Sequence, residues 1–255
     1  MRVVLLVETW KLTRSRVTLV TTTLLGLLLP AMGLGFYTVA VAGGTGSMAD
    51  KAAALLVGEG WAGYFGFVDQ IAAVALFVGI GIVVAWAFGR EHIDGTFPAL
   101  FALPISRGTI AAAKFVVLTV WVVLLALIVA AVTLTLGIVG GVGPWETTVI
   151  VAELARLLAV SLGAGALALT MGLVASIGRG YLPAVGALSV IIAVAQIAVL
   201  FGSGGWFTFA VPGLLAVAGA PGIPVLTPAQ VTLMPVVALV SVALTMRWWQ
   251  RAEVA

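Results

Sequence analysis

The sequence predicts an all-α, polytopic membrane protein. A single transmembrane domain, 1–255, holds six transmembrane helices, an N-terminal amphipathic helix at 1–16 and a short helix in the loop between the second and third spans. Three observations predict this class. The chain is 63% hydrophobic and 8% charged, with a mean hydropathy of +1.27, which leaves too little polar surface to cover a soluble globule of this size. The charge-free intervals from Arg16 to Asp50, Asp69 to Arg90, Lys114 to Glu146 and Arg156 to Arg179 each hold one helix of about 20 residues. The interval from Arg179 to Arg247 holds two, because "GSGGW" and "APGIPVLTP" supply turn chemistry in its middle.

The elements follow in order. In "MRVVLLVETWKLTRSR", Val3, Val4, Val7 and Trp10 fall at i, i+1, i+4 and i+7, with Arg2, Glu8, Lys11 and Arg14 on the remaining face. This pattern predicts a helix lying on the membrane surface. A cleaved signal is the rival reading, since Ala40-Val41-Ala42 mimics a cleavage site, but the apolar run is a full crossing rather than a core of about 7–15 residues. The spans are placed at Val17–Val41, Ile71–Phe88, Phe115–Val139, Ala152–Ile177, Leu182–Phe201 and Ala229–Met246. Glu153 and Arg156, three apart near one end of the fourth, read as an interfacial pair. Residues 202–228 are charge-free and rich in aromatic residues and proline, which predicts short helices re-entering the outer leaflet. Trp248-Trp249 reads as an interfacial anchor.

Charge orients the bundle. With both termini cytoplasmic, Arg2, Lys11, Arg14, Arg16, Arg90, Arg107, Lys114, Arg179, Arg247 and Arg251 lie inside and only Lys51 and Arg156 outside, a split of ten to two. The absence of cysteine excludes disulfides and thiolate chemistry. One histidine, His92, cannot build a histidine metal site, and no HExxH or GxSxG motif occurs. "GGTGS" at 43–47 lacks the Lys-Ser/Thr of a phosphate loop and reads as an ordinary outer loop. At hydrocarbon depth nothing is more polar than Thr133, Thr135, Ser161, Thr170, Ser176, Ser189, Gln196, Ser241 and Thr245, whose simplest role is helix–helix hydrogen bonding. An ion-driven carrier needs ionisable groups there. Active transport by this chain would therefore draw its energy from a partner.

The one polar interruption is "GREHIDGTFPALFALPISRG", Gly89 to Gly108, within the cytoplasmic loop 90–114. Phe97, Leu100 and Phe101 at i, i+3 and i+4 predict a short amphipathic helix ending at Leu103 before Pro104. Asp94, Gly95 and Thr96 precede it with capping chemistry, and Glu91 and Asp94 remain available to a basic partner.

This stretch, continued as "TIAAAKF", resembles the signature of ABC-type exporter permeases of the second type. In that signature "E-x-x-x-GT" leads into a coupling helix, then "LPISR", then a span entered through Lys-Phe. Glu91, Gly95, Thr96, Leu103, Pro104, Ser106, Arg107, Lys114 and Phe115 stand at the matching positions. The resemblance extends to the surface "elbow" helix, the six-span layout and the apolar segment between the fifth and sixth spans. It implies an inner-membrane transport subunit without its own ATPase site. It also implies a second permease, identical or paralogous, and two ATP-binding subunits holding ATP and magnesium. Glu91, Asp94, Gly95, Thr96, Phe97, Leu100, Phe101 and Leu103 would form the coupling surface toward the ATPase. Aliphatic walls without fixed charge predict hydrophobic or amphipathic cargo, such as a drug, lipid or peptide. The alternatives are a non-transporting immunity or scaffold subunit that binds a peptide or lipid, and a channel.

Overall fold

The computed structural model describes residues 1–42, 46–97 and 105–251. Among them every regular element is helical, and six helices are long and apolar enough to cross a membrane. Helix α1 (Arg2–Thr13) precedes the first span, α2 (Arg16–Val41). Ser15 caps α2, its hydroxyl accepting from the Thr18 amide at 3.3 Å. One π-helical turn at Leu24–Leu28 comes just before Pro30, where the missing proline N–H disturbs the regular ladder. A short helix, α3 (Ser47–Leu55), leads to the second span, α4 (Gly60–Ile93).

The third span, α5 (Arg107–Val139), starts under a Ser106 cap and stops in a Schellman turn. There Gly141 takes φ +62, and the Gly141 and Val142 amides donate to the Ile138 and Gly137 carbonyls. The fourth span covers Thr147–Ile177 as α6 (Thr147–Ala168) and α7 (Met171–Ile177), joined through i→i−3 turns at Leu169 and Thr170. The fifth is α8 (Leu182–Leu200). Two single 3₁₀ turns and α9 (Val211–Ala216) then fold back onto the bundle. Thr227 and Gln230 exchange side-chain and backbone hydrogen bonds in a capping box that opens the sixth span, α10 (Pro228–Arg251).

The second and fourth spans make the core. Their most apolar windows are 61% and 67% buried, against 11% for the fifth. Small residues allow the approach: Gly81 in the second span meets Leu188, and Gly165 in the fourth meets Val122 and Ile80.

The structure corrects the sequence reading in several places. The second span is longer than Ile71–Phe88 and takes in Asp69, which Arg156 neutralises from the fourth span. The third begins at Arg107 rather than Phe115, and the sixth runs on to Arg251. Trp249 is not an interfacial anchor: it is fully buried and its Nε1 donates to Ser176 Oγ at 2.9 Å. Helix α1 docks through Val4, Glu8 and Leu12, whereas Val3, Val7 and Trp10 face outward. Most of "GGTGS" lies outside the described residues.

Candidate functional site

At the end of the bundle that carries both chain termini, α1 rests on the start of α5 and the end of α4, and two lysines meet two glutamates there. Lys114 Nζ lies 3.0 Å from Glu8 Oε2 and 2.8 Å from Glu91 Oε1, and it donates to the Ala87 carbonyl at 3.0 Å. Its three donors thus meet three acceptors. Lys11 completes the cluster, 2.7 Å from Glu8 Oε1 and 3.3 Å from Glu91 Oε1. Glu8, Glu91 and Lys114 are all buried. Two positive and two negative charges balance, so burial is tolerable only while all four are present. Burial alone would raise the Glu8 carboxyl, but the Lys114 and Lys11 ammoniums outweigh it and hold Glu8 below its ordinary value. Burial would likewise lower Lys11, but its hydrogen bond and attraction to Glu8, with Glu91 behind, raise it.

The cluster ties three segments that are remote in sequence: the N-terminal helix, the last turns of the second span and the third turn of the third. Directly after Glu91 the chain reverses. Asp94 is the C-cap of α4, Gly95 adopts φ +65, and the Phe97 amide donates to the Glu91 carbonyl at 2.9 Å. The αL conformation suits glycine, and Gly95 closes the helix that precedes it. This turn brings the Phe97 ring flat onto His92, with centroids 4.2 Å apart, and edge-on to Trp249 at 5.4 Å.

The predicted coupling residues therefore divide. Glu91 is held by Lys11 and Lys114 of its own chain, and the ring of Phe97 is buried among aromatic residues of its own chain. Asp94, Gly95 and Thr96 are exposed, with Asp94 3.7 Å from Arg90. Leu100, Phe101 and Leu103 lie outside the described residues. Sequence reasoning missed Glu8 and Lys114 as partners. The signal was an isolated lysine inside the apolar run "TIAAAKFVVL", which needs a counter-charge wherever it is buried.

Toward the opposite end, Arg156 bridges two carboxylates within the bundle. Its Nε lies 2.8 Å from Asp69 Oδ2, and its Nη2 pairs with Glu153. The expected interfacial pair is thus a triad, with Asp69 wholly buried. Nearby, a cavity of about 440 Å³ opens between the second and fifth spans and the folded-back segment. Phe77, Ile192, Phe209 and Leu214 supply apolar walls, Gln70 and Gln196 the amides, and no ionisable group lines it.

The chain is thus a six-span helical bundle whose N-terminal helix is ion-paired to the second and third spans. Residues 4–196 match the family described as ABC-2 family transporter protein, and the chain belongs to that family. A 77-residue stretch is 29% identical to the bacitracin transport permease protein BCRB of Bacillus licheniformis. The alignment covers 29% of this chain and 37% of that relative.

Proposed function

We propose that this multi-pass membrane protein is the permease of an ATP-driven exporter, paired with a second permease and served by two separate ATP-binding subunits that hold ATP and magnesium. Both termini and the loop between the second and third spans face the cytoplasm across the inner membrane, so the ATPase meets the loop that follows Glu91. The observation that carries this reading is the ion-paired cluster of Glu8, Lys11, Glu91 and Lys114. A push on the loop bears on the end of the second span, and the cluster couples that movement to the N-terminal helix and the third span. Exposed Asp94, Gly95 and Thr96, followed by Leu100, Phe101 and Leu103, offer the contact surface, with Phe97 as the internal hinge packing. Cargo is hydrophobic or amphipathic, because the cavity between the second and fifth spans presents aliphatic and aromatic walls with two amides and no charge. The Bacillus relative is named for transport of bacitracin, which supports transport over scaffolding.

The experiment is reconstitution with the ATP-binding subunit in vesicles, reading ATP turnover and vectorial movement of a hydrophobic dye. Leu100→Ala with Phe101→Ala removes the large docking anchors, each commonly worth about 2 kcal/mol or more. Turnover and co-purification of the ATPase should both fall at least tenfold, with the permease still folded. Undiminished association and transport in the double variant would refute the docking surface. Failure of any ATP-binding subunit to co-purify with the wild type would refute the exporter.

A further inference from the structure

On the membrane-facing side of the same end, a lateral cavity of about 500 Å³ lies between the first, second and fifth spans. Val17, Ile82, Trp86, Arg90, Asp94, Tyr181 and Val185 are among the residues that line it. It combines two chemistries at two depths. Arg90 lies two helical turns from Ile82 along α4, about 12 Å at 1.5 Å per residue. The deeper wall is purely apolar, with Ile82 and Val185 each 37% exposed although nothing in the chain covers them. At the shallow end the Arg90 guanidinium stacks over Trp86, 4.7 Å from the ring centroid. Its one charge contact is Asp94 at 3.7 Å, beyond hydrogen-bond distance. The Tyr181 hydroxyl, in the same cavity, has no hydrogen-bond partner among the described residues.

We propose that this groove is a binding site for an anionic phospholipid, with Arg90 and Tyr181 holding the phosphate and the acyl chain lying along Ile82 and Val185. A planar guanidinium fixed by stacking presents its fork of N–H donors in the geometry that phosphate oxygens accept. Basic groups flank the site, Arg16 beside Val17 and Arg179 two residues before Tyr181, both exposed. Together they favour an anionic over a zwitterionic headgroup. A second copy of the chain is the poorer occupant. Among the described residues the only exposed carboxylate at this end is Asp94, since Glu8 and Glu91 are buried in the lysine cluster. A lipid supplies both the negative charge and the apolar tail.

The full-length protein in detergent, titrated with dioleoylphosphatidylglycerol or dioleoylphosphatidylcholine, tests this by native mass spectrometry and thermal unfolding. Wild type should retain one phosphatidylglycerol about tenfold more tightly than phosphatidylcholine, and melt higher with it, because choline's positive charge opposes the basic side chains around the phosphate. Arg90→Gln should abolish the preference. Val185→Trp, which fills the groove and leaves Arg90 in place, should abolish retention, whereas Arg2→Gln on exposed α1 should keep both. Equal retention of the two lipids, an unchanged preference in Arg90→Gln, or an equal loss in Arg2→Gln would overturn the site. Displacement of the lipid by inorganic phosphate would show a soluble-anion site instead. Loss of a dimer in Val185→Trp with lipid retention intact would assign the groove to a second copy.

Discussion

Lys114 stands in a sequence position that hydropathy reads as the start of a greasy span, yet its ammonium is the centre of a four-charge cluster. Replacing it by methionine keeps the stem's volume and leaves Glu8 and Glu91 facing each other with only Lys11 between them. Removing one partner of a buried ionic group typically costs about 3–5 kcal/mol, so Lys114→Met should lower the unfolding midpoint in detergent sharply. Adding Glu8→Gln should recover most of the loss, because Lys11 and Glu91 then remain as one balanced pair. The same cluster sets a pH dependence. The folded-state value of Glu8 lies below its ordinary value, so its contribution is present above about pH 4.3 and disappears as pH falls through the depressed value. Lys11 behaves oppositely: its value is raised, and its contribution persists below about pH 10.4 and is lost only as pH climbs through the raised value. Melting temperature measured from neutral pH downward should therefore fall on the acid side, and Glu8→Gln should flatten that limb. An acid limb of the same steepness in Glu8→Gln would remove Glu8 from the account.

Among the elements, a glycine pair separates packing from propensity. Gly89, near the end of α4, faces the turn before α8. A methyl there would come within 2.6 Å of the Tyr181 amide nitrogen and 2.7 Å of the Gly180 carbonyl carbon, and backbone cannot swing aside. Gly89→Ala should destabilise by about 1–3 kcal/mol, the usual range for overpacking. Gly186, in the helix on the far side of that turn, has no atom within 4 Å of such a methyl. Gly186→Ala should be neutral or stabilising by up to about 1 kcal/mol through helix propensity. Chemical or thermal denaturation of both variants in one detergent makes the comparison. The same contrast between local and tertiary signals explains what was legible in the sequence. The ends at Val41, Val139 and Ile177 were readable because turn residues or charges follow them at once. The beginnings of the second and third spans were not, because Asp69 and Lys114 read as boundaries to any rule based on charge-free length. Both are inside helices, made tolerable by partners 87 and 106 positions away in the chain. The facing of α1 was legible in part: Val3, Val7 and Trp10 share an outward face, but Glu8, read on the polar face, is turned inward onto its lysine partner. Within the coupling stretch, Asp94, Gly95 and Thr96 read as caps of a following helix, whereas Asp94 and Gly95 close the preceding one, and the inward rotation of Phe97 onto His92 and Trp249 depends on the sixth span and has no local signature.

For the molecule as a whole, the proposed orientation rests on which charges remain free once the internal pairs are set aside. At the end where α1, the start of α5 and the end of α10 meet, Arg107 donates to the Gln250 carbonyl at 3.2 Å, which fixes these segments on one side of the bundle. Lys11 and Lys114 are spent on Glu8 and Glu91. Arg2, Arg14, Arg16, Arg179, Arg247 and Arg251 nonetheless remain exposed at this end. At the other end Arg156 is consumed by Asp69 and Glu153, and Lys51 is the one basic residue left there. Internal pairing removes two bases from one side and one from the other, so the bias that keeps basic loops in the cytoplasm survives it. The native chain has no cysteine, so single substitutions report cleanly. Lys51→Cys should react with a membrane-impermeant maleimide in intact cells, whereas Arg179→Cys should react only after the membrane is opened. Labelling of Arg179→Cys in intact cells, with Lys51→Cys protected, would invert the bundle.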